Sequence, residues 1–253
     1  AKPAQGITLS EMQKVSSLLI RSKADITEIN TVRKHLSQVK GGQLAKKIAP
    51  AKLHALIVSD VIKDDLSIIA SGPTVGDKTT LRDAVGLLRR HGLWDKIPKS
   101  VRKHLGGKSS ETPKTVRNCS NNIILNNKIA LKAMHKKAKA LGFKSLIYSS
   151  EVEGEAEHVG RFLMRKALAL KGKGKKPIAL IAGGETTVTI TGKGKGGRNQ
   201  EMVLGALGEL QYAGNAVFIS IGSDGIDGKS NAAGAIADSS TLQTARKKKL
   251  NPA

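Results

Sequence analysis

The residues best suited to chemistry lie between Pro177 and Leu204, in the string P-IALIAGGETTVTITGKGKGGRNQEMVL. Gly192-Lys193-Gly194-Lys195-Gly196-Gly197-Arg198-Asn199 joins a glycine loop to two lysines and an arginine, ahead of an apolar stretch of helical character. Glycines let backbone N–H groups approach an anion closely. A helix start would add unpaired N–H donors and a positive dipole end. This set suits a phosphate-bearing ligand better than a metal or a nucleic-acid groove. The competing use is a solvated basic turn.

A second set is acidic. The apolar run Leu53–Val58 delivers Ser59 and Asp60, then Asp64 and Asp65; the run Ala216–Ile221 delivers Asp224 and Asp227. Ligands of open α/β sheets bind beyond the carboxyl ends of strands. Carboxylates there could hold Mg²⁺ or take a proton from a hydroxyl. Each could equally cap a turn or bond its own backbone. Arg33, Lys34 and Lys40 are available for anions, and Ala70-Ser71-Gly72-Pro73-Thr74 reads as an irregular, hydrogen-bonding loop.

The run Gly183-Gly184-Glu185-Thr186-Thr187-Val188 through Gly197-Arg198-Asn199-Gln200-Glu201 closely resembles the MOFRL-type signature of the glycerate 2-kinase family. Further stretches of that family follow in order at Glu28–Leu36, Asp60–Thr74 and Gly222–Ala235, so the resemblance covers nearly the whole chain. Lys63, where the family often has Gly, and Lys229-Ser230, where it commonly has Pro and a small polar residue, depart from the pattern. The resemblance implies ATP-dependent phosphorylation of D-glycerate at its 2-hydroxyl, with Mg²⁺. Within that mechanism, charge and position assign catalytic roles to Arg198, Asp60 and Asp64, with Asp64 and Asp65 at the metal. Substrate and nucleotide contacts would come from Arg33, Lys40, Ser71, Gly72, Glu185, Thr186, Lys193, Lys195, Asn199, Asp224 and Asp227. The same family also carries the name hydroxypyruvate reductase. Gly192–Gly197 matches the letters of G-x-G-x-x-G, but it is not read as part of a strand–helix–strand dinucleotide-binding unit.

The elements that position these residues alternate. Helical spacing marks a helix after Thr8 or Ser10, another over Ile26–Val39, and a third over Thr79–Leu93 capped by Thr79 or Thr80. Further helices are expected over Val101–Leu105, from Asn126-Asn127 to Leu141, and from the Glu151–Ala156 segment to Leu170. Strands are expected at Leu53–Val58, Asn118–Leu125, Ser145–Tyr148, Ile178–Ala182, Val188–Thr191 and Ala216–Ile221. Glu151, Glu153 and Glu155 read as structural acids at a helix start. The alternation points to parallel sheets covered by helices. The fold class is α/β, as two Rossmann-like three-layer α/β/α domains with a cleft between them. Residues 1–117 would end the first domain and 118–253 form the second, with the MOFRL-type region at about 177–253. Gly106–Thr115 is the link, and Lys171–Lys176 a basic surface linker.

Composition bounds the rest. With 43 Lys and Arg against 20 Asp and Glu, the 253 residues carry a net charge of +23. That would attract nucleic acid, but the lysines are spread over the whole length and only three Phe, two Tyr and one Trp could stack on bases. A solvated lysine-rich surface accounts for the charge better, with a non-catalytic anion- or nucleic-acid-binding protein as the alternative. The single cysteine, Cys119, excludes an internal disulfide. No run nears the ~20 apolar residues of a membrane span, so no membrane partner is expected and the default setting is cytoplasmic. A homodimer is compatible with the sequence. The chain starts at Ala1 and ends beyond a polar Arg246–Lys249 tail. The resemblance implies a piece lacking both ends, including an upstream lysine and a glycine-serine stretch, and therefore inactive alone.

Overall fold

In the computed structural model, the described residues are 2–107, 111–170, 176–192 and 194–250. Lys193, most of the basic linker and part of the Gly106–Thr115 link lie outside them. The chain forms two compact units, Ala1–Asn126 and Asn127–Ala253.

The first unit is built on helices that the sequence starts firmly. Helices α1 (Leu9–Arg21), α2 (Ile26–His35) and α4 (Leu81–Arg90) each open with a reciprocal capping box: Thr8 with Glu11, Asp25 with Glu28, Thr80 with Asp83. Each box satisfies two of the backbone donors that a helix start leaves over. With α5 (Lys99–Leu105), these helices enclose Val15, Leu19, Val32, Leu36, Leu88, Val101 and Leu105 in one apolar core. Helix α2 stops at His35 rather than Val39. Ser37 Oγ there accepts the N–H groups of Val39 and Lys40 and so turns the chain. A short helix α3 (Gln43–Ile48) leads to strand β1 (Leu53–Val58), which pairs in parallel with β2 (Cys119–Leu125).

The second unit runs α6 (Asn127–Ala140), β3 (Lys144–Val152), α7 (Ala156–Ala169), β4 (Ile178–Gly184), α8 (Arg198–Leu210), β5 (Val217–Ile221), β6 (Gly234–Asp238) and α9 (Thr241–Lys247). Strands β3 and β4 are parallel, as expected, but β5 and β6 are an antiparallel pair. Neither β6 nor α9 was expected. Helices α7 and α8 cross in close contact, because two glycines allow it. A Cβ on Gly160 would lie 1.9 Å from the Met202 carbonyl oxygen, and one on Gly205 would lie 2.2 Å from that of Glu157. Met164, Val203, Ala206, Leu207, Leu210 and Ala237 fill the core beside them. The expected strand over Val188–Thr191 does not form. Thr187 makes a single bridge to Glu155, the Thr189 N–H is taken by the Glu155 carboxylate, and Ile190 is left 81% exposed. Among the described residues, no helix is long and apolar enough to cross a membrane.

Candidate functional site

In the second unit the glycine loop is pressed against the turn that follows β5. Gly228 has φ +60°, and a Cβ there would sit 2.2 Å from the Gly196 carbonyl oxygen; one on Gly197 would sit 2.5 Å from Asp227 Oδ1. This approach lets the buried Asp227 reach the start of α8. Its Oδ1 accepts the Asn199 N–H at 2.9 Å and Asn199 Nδ2 at 3.1 Å, and its Oδ2 accepts the Gln200 N–H at 2.8 Å. The donors that the sequence offered to an anion at this helix start are therefore already filled in part. Burial opposes ionisation of Asp227, but the amides of Asn199 and Gln200 outweigh it and hold the carboxyl below its ordinary range. Asn199 is also tied to β5, accepting Ser220 Oγ at 2.7 Å, and Gln200 Nε2 donates to Ser230 Oγ at 2.7 Å.

Arg198 opens α8 on this braced base. Its Nη1 donates to Glu185 Oε1 at 2.8 Å and to the Thr186 carbonyl oxygen at 3.3 Å. The Arg198 and Glu185 side chains are 47% and 50% exposed, so the guanidinium is aimed yet open to solvent. The double glycine at the end of β4 brings Glu185 here: a Cβ on Gly184 would lie 2.0 Å from the Val152 carbonyl oxygen. Thr186 is buried, Lys195 is exposed, and Lys193 is outside the described residues. Asp224 caps its own turn through the Ile226 N–H at 3.2 Å.

The first unit gathers a different set. Lys40 Nζ donates to the Ala70 carbonyl oxygen at 2.9 Å and to Ser71 Oγ at 3.2 Å; Ser71 Oγ in turn donates to Asn30 Oδ1 at 3.1 Å. Ala70, Ser71 and Gly72 are all left-handed, with φ of 51°, 61° and 63°. Such backbone is costly for non-glycine residues and persists only where its surroundings hold it. Lys40 and Asn30 supply that hold. Burial, then the neighbouring Arg33 charge, pushes the Lys40 ammonium below its ordinary range. Arg33 Nε donates to Ser16 Oγ at 3.3 Å.

The strand-end aspartates of this unit do not cluster. Asp60 is exposed, Asp64 Oδ2 accepts Asn126 Nδ2 at 2.6 Å, and Asp65 Oδ1 accepts the Ser67 N–H at 2.8 Å. Ser67 holds Asp65 below its ordinary range. Among the described residues, no group of three or more His, Cys, Asp or Glu side chains could hold a metal ion. The structure thus brings Glu185, Thr186, Arg198, Asn199 and Asp227 together in one unit, and Lys40 with Ser71 in the other. Sequence reasoning missed Asn30, whose partner lies 41 residues away. It also gave Glu155 no partner: its carboxylate accepts Thr187 Oγ1 and the N–H and Oγ1 of Thr189. The one available signal for Glu155 was its reading as a structural acid at a helix start.

A family model described as "Domain of unknown function (DUF4147)" matches residues 1–106, and one described as "MOFRL family" matches residues 178–253. The glycerate kinase of Macaca fascicularis is 34% identical over 92% of this chain and 70% of its own length. The chain belongs to the glycerate 2-kinase family. A Pyrococcus horikoshii relative named glycerate 2-kinase is 43% identical over 98% of this chain. The solved glycerate kinase of Thermotoga maritima superposes with a TM-score of 0.89 at 42% identity, over 99% of this chain. That likeness carries the two-domain α/β fold. The chain spans 58% of the length of the Pyrococcus relative and 60% of the Thermotoga structure.

Proposed function

We propose that this chain belongs to an enzyme that transfers a phosphoryl group from ATP to the 2-hydroxyl of D-glycerate, giving 2-phosphoglycerate. The observation that carries the reading is Arg198: a half-exposed guanidinium, aimed by Glu185 and the Thr186 carbonyl, on a helix start braced by a buried aspartate. Phosphoryl transfer asks a protein for positioning and for positive charge on the transferred group. Arg198 would carry that charge, supported by Lys193 and Lys195. Glu185 would orient Arg198 rather than serve the metal, since its carboxylate already accepts the guanidinium.

Arg33 would pair the glycerate carboxylate, with Lys40, Ser71 and Gly72 keeping the adjoining loop in shape. Mg²⁺ of nucleotide enzymes takes one or two carboxylates and completes its shell with phosphates and water. Asp60 and Asp64 fit that need, with either as the group that orients the substrate hydroxyl. Asp65 fits it poorly, because it is turned onto Ser67. The ion would neutralise charge on the phosphates. The setting we propose is cytoplasmic, with a small-molecule substrate, no nucleic acid, and a homodimer as the assembly that sedimentation would test.

The test is ADP release by the complete native protein from ATP and Mg²⁺, with and without D-glycerate. Glycerate-dependent release with 2-phosphoglycerate as product supports the reading. Arg198→Ala should then lower kcat about 10³-fold with the fold intact. No release from folded protein, or NADH oxidation with hydroxypyruvate instead, overturns it.

A further inference from the structure

Strand β4 stays fastened to the β3 side past its last residue. The Glu185 N–H donates to the Val152 carbonyl oxygen at 2.9 Å, the Thr187 N–H to that of Gly154 at 2.9 Å, and the Ala156 N–H to that of Thr187 at 2.8 Å. This main-chain lacing ends at the bridge between Glu155 and Thr187. The Glu155 carboxylate carries it one step further. Its Oε1 accepts the Thr189 N–H at 2.6 Å, and its Oε2 accepts the hydroxyls of Thr187 and Thr189 at 3.2 and 3.3 Å. Glu155 stands at the N-cap of α7, where a side-chain oxygen can take an N–H of its own helix, yet it takes none. It forgoes the cap and holds Thr189 instead.

Beyond Thr189 the chain enters the glycine loop. Among the described residues, none between Thr189 and Gly196 makes a hydrogen bond. At the far end the Gly196 carbonyl oxygen accepts the Lys229 N–H at 3.2 Å, next to the turn that carries Asp227. The course of the loop is therefore set by its two ends, Glu155 at one and the Asp227 turn at the other. We infer that Glu155 is a positioning residue for the ATP phosphates: by fixing Thr189 it sets where the glycine loop begins, and with it the reach of Lys195. The inference rests on the phosphoryl-transfer reading above. It separates Glu155 from Asp227. Arg198 is aimed by Glu185 and Thr186, which the main-chain lacing holds without the Glu155 side chain. Loss of the carboxylate's grip should therefore weaken ATP binding and leave kcat and the glycerate KM in place.

The experiment uses the complete protein with Mg²⁺. It measures ATP affinity by calorimetry without glycerate, steady-state kinetics with D-glycerate, and the urea midpoint. Glu155→Asp keeps the charge at the α7 start but is one methylene too short for Thr189. Glu155→Gln keeps the reach and one acceptor oxygen. Glu155→Asp should raise the ATP Kd and KM about tenfold, the scale of one lost charge-assisted bond, with kcat, the glycerate KM and the urea midpoint little changed. Glu155→Gln should recover most of that loss. Unchanged ATP affinity in Glu155→Asp, in a protein that turns over glycerate, overturns the inference and leaves the phosphoryl-transfer reading standing. A loss shared by kcat, the glycerate KM and the urea midpoint also overturns it, because the carboxylate would then serve the fold alone. No glycerate-dependent ADP release from the unaltered folded protein removes the reading and the inference together.

Discussion

Each unit buries one aspartate, at 1% exposure, and the two are neutralised by different means. Asp77 in the first unit meets a formal cation as well as neutral donors: Lys34 Nζ lies 3.2 Å from Oδ1, the Thr79 N–H and hydroxyl donate to Oδ1 at 3.1 and 2.8 Å, and the Thr112 hydroxyl donates to Oδ2 at 3.0 Å. Asp227 in the second meets amides, two of them the backbone donors at the head of α8. The difference lies in what each carboxylate holds. Asp77 ties helix α2 to the turn before α4 and to residues 111–114, three segments distant in sequence. Asp227 ties one loop to one helix start, and that helix carries Arg198. The first is a clamp on tertiary structure; the second fixes the aim of a side chain.

The largest expected effect follows from the cation. Asp77→Ala leaves Lys34 buried and unpaired, which costs about 3–5 kcal/mol, read as a fall in the urea midpoint of the first unit. Lys34→Met should cost clearly less, since the Thr79 and Thr112 donors remain with Asp77. Equal losses from the two variants would break the comparison, because the ion pair would then have no directional cost.

Asp227→Ala should cost less than Asp77→Ala, about 2 kcal/mol, since it strands neutral amides at a helix start and not a charge. Its larger signature should be kinetic. With α8 unpinned, Arg198 loses its aim, so kcat should fall about tenfold with KM little changed, while Asp227→Asn, which keeps one acceptor oxygen, should retain more of both. A variant as destabilised as Asp77→Ala but fully active would reverse the assignment of the two aspartates.

The sequence carried this contrast unevenly. Asp227 was visible, because it follows an apolar strand inside a glycine-rich turn. Asp77 was not, since its cation is 43 residues away and nothing local marks either partner. Helix starts were legible where a cap and its partner stand three residues apart, as with Thr8 and Glu11. The Thr79 or Thr80 choice was settled only by which hydroxyl accepts the Asp83 N–H. Val188–Thr191 has strand composition but no ladder partner, whereas Gly234–Asp238 is assigned no element from the sequence and gains its strand from pairing with β5. Composition sets what a segment can do, and distant partners decide what it does. The same limit applies to Asp65 and Asp224, whose turn-capping was weighed as an alternative and whose oxygens do bond their own turns.

The smallest effect concerns acid. Glu111 extends the Asp77 clamp: it accepts the Leu81 N–H at 2.9 Å, His35 Nε2 at 3.2 Å and Lys114 Nζ at 2.6 Å. Burial opposes its ionisation, but these donors outweigh burial and lower its pKa from 4.5 to about 2. A carboxyl depressed in the folded state adds stability above its unfolded value, and that stability is lost as pH falls toward the folded value. Glu111 therefore contributes fully above about pH 4.5 and progressively less down to about pH 2. Its side chain is 40% exposed, so solvent screens the gain. Glu111→Gln should change the neutral-pH midpoint only slightly. It should flatten the acid slope of the first unit between those two values, with the second unit, where Asp227 meets no cation, unaffected. Urea midpoints at a series of pH values, followed through Trp94 in the first unit and Tyr212 in the second, give the answer. An unchanged slope in the variant would confine the acid response of the clamp to Asp77.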